Sequence, residues 1–201
     1  MKQQETTSHE SYPDTHHDIY SKTTFGFWVY LLSDFVLFGT LFAVYAVLQM
    51  STYGGPSGRQ LFSLPHALLE SLILLTSSFS AGVGGVFAHQ KNTKGTIVSF
   101  LCTFILGAIF FSMQLNEFSD LIQGNNSWER SAFLSAYFSL VGTHALHMVL
   151  ALLWIVVLMI PVCREGMTSN SIRRLTCLKM FWQFLNIIWI FIFTIVYLMG
   201  R

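Results

Sequence analysis

The sequence predicts an all-α fold, an integral membrane bundle of five transmembrane helices, and three observations carry that prediction. Hydrophobic residues make up 53% of the chain and charged residues 10%, with a mean hydropathy of +0.54, a balance that belongs to membrane proteins. Five apolar runs are each near or above the roughly 20 residues that cross a hydrocarbon core. Alternating segments of about ten residues, which would announce a barrel, do not occur, so helices are left to satisfy the backbone in lipid. The formal net charge of +1 gives no reason to expect nucleic acid or an acidic substrate.

Residues 1–24 are polar, carry His9, His16 and His17 among acids and hydroxyls, and lack a charged-then-apolar secretion signal, which predicts a mobile tail. The first span is expected at 26–50 and contains one acid, Asp34. A Gly/Pro/Ser loop at 54–59 leads to a second span at 66–88, with Glu70 in its first turns and a glycine group at 82–85 suited to close helix or lipid contact. The third span, 95–115, holds Cys102, hydroxyls and Gln114 as its polar content. A polar loop with Glu117, Asp120, Glu129 and Arg130 precedes the fourth span, 132–160, and a basic loop with Arg164, Arg173 and Arg174 precedes the fifth, 179–200.

Five spans place the termini on opposite sides, and basic residues choose between the sides. Lys2, Lys22, Lys91, Lys94, Arg164, Arg173, Arg174 and Lys179 fall with the N-terminus, against Arg59, Arg130 and Arg201, which predicts a cytoplasmic N-terminus and a periplasmic C-terminus. The rise of about 1.5 Å per residue then sets Asp34 some 10 Å into the first span. Asn186, Ser77, Ser78, Ser80, Cys102, Thr103 and His144 come out near the same depth, with His147 one turn nearer the cytoplasm. Glu70 is the exception, expected near the outer face within reach of water or headgroups. Such a layer serves as interhelical glue of about 0.6 to 2 kcal/mol per hydrogen bond, or as a proton-handling site. A lone carboxylate there costs several kcal/mol, so Asp34 is expected to be neutral or paired, with His144 as the candidate partner.

His144 and His147 stand at i, i+3 and share a helix face. A catalytic metal needs a third protein ligand and haem normally takes its two histidines from different helices, while His66 and His89 sit at opposite ends of the second span. No metal, cofactor or catalytic residue is therefore expected. Cys102, Cys163 and Cys177 lack metal-ligand spacing. A proton-linked transporter is the reading of another class, but the chain shows neither an internal repeat nor a broken helix.

The chain resembles subunit III of the haem-copper terminal oxidases. The serine and acid in FGFWVYLLSDFVLFG, the stretch LPHALLESLILLTSS, the acidic NEFSDLI, the G-x-H-x-x-H of VGTHALHMV and the closing FWQFLNIIWIF carry the likeness. The five-span form and the GGP loop are similar to the ubiquinol-oxidising branch, with the cytochrome c oxidising branch as alternative. The resemblance implies a subunit without a redox centre, haems and copper in subunit I, contacts with subunits I, II and IV, ubiquinol as the substrate of the complex, and bacterial inner-membrane residence. It further implies phospholipid in a cleft between helices 1–2 and 3–5, with support of proton uptake. One departure is clear: where the family's last helix usually carries a histidine and an acid, this chain has Gln183 and Asn186.

Overall fold

The computed structural model describes residues 15–52 and 64–199. Five helices account for nearly all of them: α1 (Thr15–Leu48), α2 (Leu64–His89), α3 (Thr93–Gln123), α4 (Ala132–Glu165) and α5 (Ser169–Ile192), the last continuing as a π-helical turn, Phe193–Leu198. All five contain a stretch long and apolar enough to cross a membrane. The loop at 54–59, Arg201 and the tail up to residue 14, with His9, lie outside the described residues.

Each helix outruns the span expected from hydropathy, because hydropathy marks where lipid ends and only breakers and caps mark where a helix ends. Between Thr15 and the apolar run there is no proline, so α1 takes in ten residues expected to be tail. Helix α3 runs past Leu115 to Gln123 and stops at Gly124. Helix α4 carries Pro161 in its last turns and closes on Gly166, whose φ of 76° favours glycine. The supposed basic loop is mostly the first turns of α5. Asn92, Ser131 and Thr168 cap the starts of α3, α4 and α5 by accepting from Gly95 N, Leu134 N and Ser171 N.

Helices α2, α3, α4 and α5 form an up-and-down ring in which each packs on its chain neighbour and α5 closes back onto α2. The α2–α3 seam is the most extensive. There Gly84 lets the Phe100 ring and Ser99 approach so closely that a β-carbon would sit 3.0 Å from the ring. On the other side of α2, Gly85 makes room for the aliphatic stem of Lys179 from α5. Helix α1 lies outside the ring, on α4 and α5. Its window is 17% buried against 50% for α5, which fixes α1 as the peripheral helix and α5 as the central one.

This arrangement corrects the expected cleft between helices 1–2 and 3–5. Among the described residues α1 and α2 do not form one leaf; they seat on different partners, α1 on α4 and α5, α2 on α3 and α5. The physical reason is α5, whose side chains serve both seams: Phe181, Phe184 and Phe191 meet α1, while Trp189 donates to Ser71 Oγ of α2 at 3.0 Å.

Gly107 of α3 faces Trp182 of α5, and a β-carbon there would lie 2.5 Å from the indole. The substitution Gly107→Val is expected to destabilise the assembled protein by about 1 to 3 kcal/mol through overpacking, read as a lower thermal midpoint, whereas Gly82→Val, with nothing within 4 Å, is expected to leave it unchanged.

Candidate functional site

Helix α1 presents a single stripe to the bundle: Phe27, Leu31, Asp34, Phe38, Leu41, Tyr45 and Leu48, spaced three and four residues apart. Three of its members are aromatic. Phe27 meets Trp154 at 5.8 Å between ring centroids, Phe38 meets His147 at 5.3 Å and Phe184 at 6.3 Å, and Tyr45 meets Phe133 at 6.1 Å. Asp34 takes one place in this stripe, so the seating that buries the rings carries the carboxyl inward with them, to 9% exposure.

Its partner is His147. The imidazole Nε2 lies 3.8 Å from Asp34 Oδ2, and the Tyr30 phenol one turn earlier also faces the carboxyl. The expected pairing with His144 is thus corrected by one helical turn. Phe38, the next stripe residue after Asp34, touches both rings, 5.3 Å from His147 and 6.5 Å from His144 between centroids. Because α1 and α4 run antiparallel, a residue one turn further along α1 faces one a turn earlier on α4, and the register settles Asp34 on His147.

Hydrogen bonds define what each histidine does. His147 Nδ1 lies 2.8 Å from the Thr143 carbonyl, an acceptor only, so Nδ1 carries a hydrogen and Nε2 is the atom turned to the acid. At 3.8 Å the contact between Nε2 and the carboxyl is longer than a hydrogen bond, and Asp34 Oδ2 has no hydrogen-bond partner among the described residues. His144 is fully buried, and its Nε2 donates to the Leu185 carbonyl at 3.2 Å. That bond ties α4 to α5, while Nδ1 has no partner among the described residues. Edge contacts with Phe110 and a tilted one with Trp189 enclose the ring.

The rest of the expected layer divides. Ser77 Oγ donates to Thr103 O at 3.1 Å and Ser80 Oγ to Ser99 O at 2.9 Å, a separate set of bonds that joins α2 to α3. Ser78 is half-buried and makes no interhelical hydrogen bond among the described residues, and Cys102 points outward. Asn186 is buried but bonds within its own helix, Nδ2 to Trp182 O at 3.1 Å. Gln183 is exposed and lines an apolar groove of about 280 Å³ between α5 and α1, with Trp28, Leu32, Phe35 and Ile187.

Glu70 is not at a wet surface: its exposure is 0%. It belongs to a second polar cluster, at the end of the bundle away from the N-terminus, which the sequence reading missed. Glu117 of α3 accepts from Tyr197 Oη at 2.9 Å and Gln114 Nε2 at 3.3 Å, and Tyr137 Oη lies 3.1 Å from Tyr197 Oη. Glu117 had been assigned to a loop. The usable signal was the absence of any breaker between Leu115 and Gly124, which keeps Gln114 and Glu117 on one helical face.

Among the described residues no group of three His, Cys, Asp or Glu side chains stands close enough to share a metal ion, and both central histidines spend a ring nitrogen on a carbonyl. The arrangement can hold a proton and lock helices together. In a double-mutant cycle, Asp34→Asn and His147→Gln are expected to couple by about 0.5 to 3 kcal/mol in thermal stability. The cycle of Asp34→Asn with His144→Gln is expected to give less, and an equal or larger value there would contradict the assigned pairing.

The cytochrome c oxidase subunit III family matches residues 4–201. The chain is 50% identical to cytochrome bo(3) ubiquinol oxidase subunit 3 of Pseudomonas aeruginosa over 93% of its length and 90% of that protein. The corresponding figures are 42%, 92% and 89% for the Pseudomonas putida protein of the same name. Against cytochrome c oxidase subunit 3 of Bacillus sp. PS3 they are 39%, 87% and 84%. Together with five membrane-spanning helices, this coverage establishes that the chain belongs to the cytochrome c oxidase subunit III family.

Proposed function

We propose that the chain is the non-catalytic third subunit of a proton-pumping ubiquinol oxidase in the bacterial cytoplasmic membrane. The observation that carries this reading is the 50% identity, sustained over nine-tenths of both chains, with a protein named as ubiquinol oxidase subunit 3. The distribution of basic residues supports a cytoplasmic N-terminus. In this reading haems and copper reside in subunit I, subunits I, II and IV are the protein partners, and phospholipid fills apolar grooves such as that beside Gln183.

The role that fits the geometry is mechanical and protonic. Asp34 and His147 stand together between a peripheral helix and the ring, placed to hold a proton between them. Within the complex this pair would fix α1, and with it the lipid-lined face between α1 and α5. Gln183 and Asn186 cannot titrate, so the last helix contributes hydrogen bonding and packing there, and proton handling on this side falls to Asp34 and His147.

Affinity purification through this chain in mild detergent is expected to recover haem-bearing partners and oxygen reduction with ubiquinol as donor. A chain that purifies alone contradicts the oxidase reading, and turnover supported by cytochrome c but not by quinol contradicts the quinol assignment. Deletion of the chain is expected to leave the initial rate of oxygen reduction largely intact while the remaining complex inactivates during turnover; loss of haem from a stably assembled core would be the contrary result.

A further inference from the structure

At the end of the bundle remote from the N-terminus, four helices bring together groups that play no part in seating α1. Glu70 of α2 is fully buried, and neither carboxyl oxygen meets a hydrogen-bond donor among the described residues. Glu117 of α3 accepts from Tyr197 Oη and Gln114 Nε2, with the Tyr137 hydroxyl also on it. Gln114 is fully buried as well, and its oxygen has no donor. The two acids lie within electrostatic reach of one another, and Tyr137 of α4 and Tyr197 of α5 within reach of both. One turn before Glu70, His66 Nε2 lies 3.5 Å from Oε1 with 41% of its side chain exposed.

These groups, His66 and Glu70 from α2, Glu117 from α3, Tyr137 from α4 and Tyr197 from α5, are the titratable side chains facing the site. Two carboxylates cannot share an apolar pocket with both ionised unless a cation comes between them. The donors are divided unequally, all of them on Glu117 and none on Glu70, so the negative charge belongs on Glu117. Three buried acceptors remain unanswered, Glu70 Oε1, Glu70 Oε2 and Gln114 Oε1. A single bound proton converts one of them into a donor and removes one charge. His66, 3.5 Å from Glu70 Oε1 and with 41% of its side chain exposed, supplies the route to solvent among the described residues.

We propose that the Glu70–Glu117 pair is a proton-binding site, with one exchangeable proton seated on Glu70 and passed to and from water through His66. In the exchange step the His66 Nε2–H bond breaks and a Glu70 O–H bond forms, or the reverse. Glu117 keeps its negative charge throughout, so the site carries −1 when loaded; while the proton is on His66 the imidazolium beside Glu70 is the compensating cation, and a proton lost to water is replaced through the same ring. Its location puts this station on the membrane face opposite the Asp34–His147 pair, and the assignment does not depend on which electron donor the complex uses.

The test is infrared difference spectroscopy on the purified complex containing the full chain, at neutral pH. The expected result is a C=O stretch of a protonated carboxyl group that is sensitive to deuterium oxide, lost in Glu70→Gln and retained in Asp34→Asn. Glu70→Asp keeps a carboxyl in the cluster and is expected to move the band rather than remove it, which guards against loss of assembly in the glutamine variant. In His66→Asn the band should remain while its deuterium exchange slows on the order of a hundredfold. The proposal is overturned if no Glu70-dependent band exists in the wild type. It is equally overturned if the band appears only after sodium or calcium is removed, which would make the occupant a metal cation, or if exchange is as fast in His66→Asn as in wild type.

Discussion

A carboxyl group in the interior of a membrane must be answered from within the protein, and the placing of α1 follows from that requirement. Helix α1 touches the ring through one stripe only, and most of its surface is apolar and outward-facing, so hydrophobicity alone does not select a rotation about its axis. Asp34 does. Turned to lipid it would cost several kcal/mol; turned inward it lies 3.8 Å from the His147 imidazole and faces the Tyr30 phenol. The aromatic residues on the same stripe then fall into contact with α4 and α5 without further adjustment.

The ring that receives α1 is organised by α5. Its faces meet α1, α2 and α4, and it holds the largest buried side chains of the bundle, Trp182 and Trp189. Glycine at position 107 accommodates the first, and Ser71 answers the second. Between the two polar clusters lies an aromatic middle, where Phe110 packs edge-on against Trp189 at 4.7 Å and both enclose His144. The acids among the buried groups stand toward opposite ends of the bundle, Asp34 with His147 at one and Glu70 with Glu117 at the other. That division gives the bundle a tightly packed aromatic centre with an acid-containing cluster toward each end.

Much of this was legible in the sequence, and the parts that were not have physical reasons. The five helices, the inward-facing acid and the pairing of that acid with the G-x-H-x-x-H helix follow from composition and from the cost of charge in lipid. Choosing between His144 and His147 requires the register of two antiparallel helices to within one turn, which depth counting from uncertain span ends cannot supply. The grouping of helices required knowing which of several uniformly apolar faces is used, and in a membrane helix apolar residues on all sides erase the periodicity that reveals a face in water. Glu117 escaped notice because its run of polar neighbours looks like a loop, although nothing in it breaks a helix. The even layer of polar groups also proved to be two sets of bonds: Ser77 and Thr103 lock α2 to α3, independently of the contacts that hold α1.

The claim at the centre of this account is that α1 is held against α4 and α5 by Asp34 and His147, apart from α2. An electron cryo-microscopy map of the purified complex, at a resolution that shows side chains, tests it most directly. The account predicts α1 in the groove between α4 and α5, with the Asp34 carboxyl against His147 and the Phe27 ring against Trp154. A map in which α1 and α2 stand together as a separate leaf, or in which Asp34 faces lipid or a partner subunit, would contradict it.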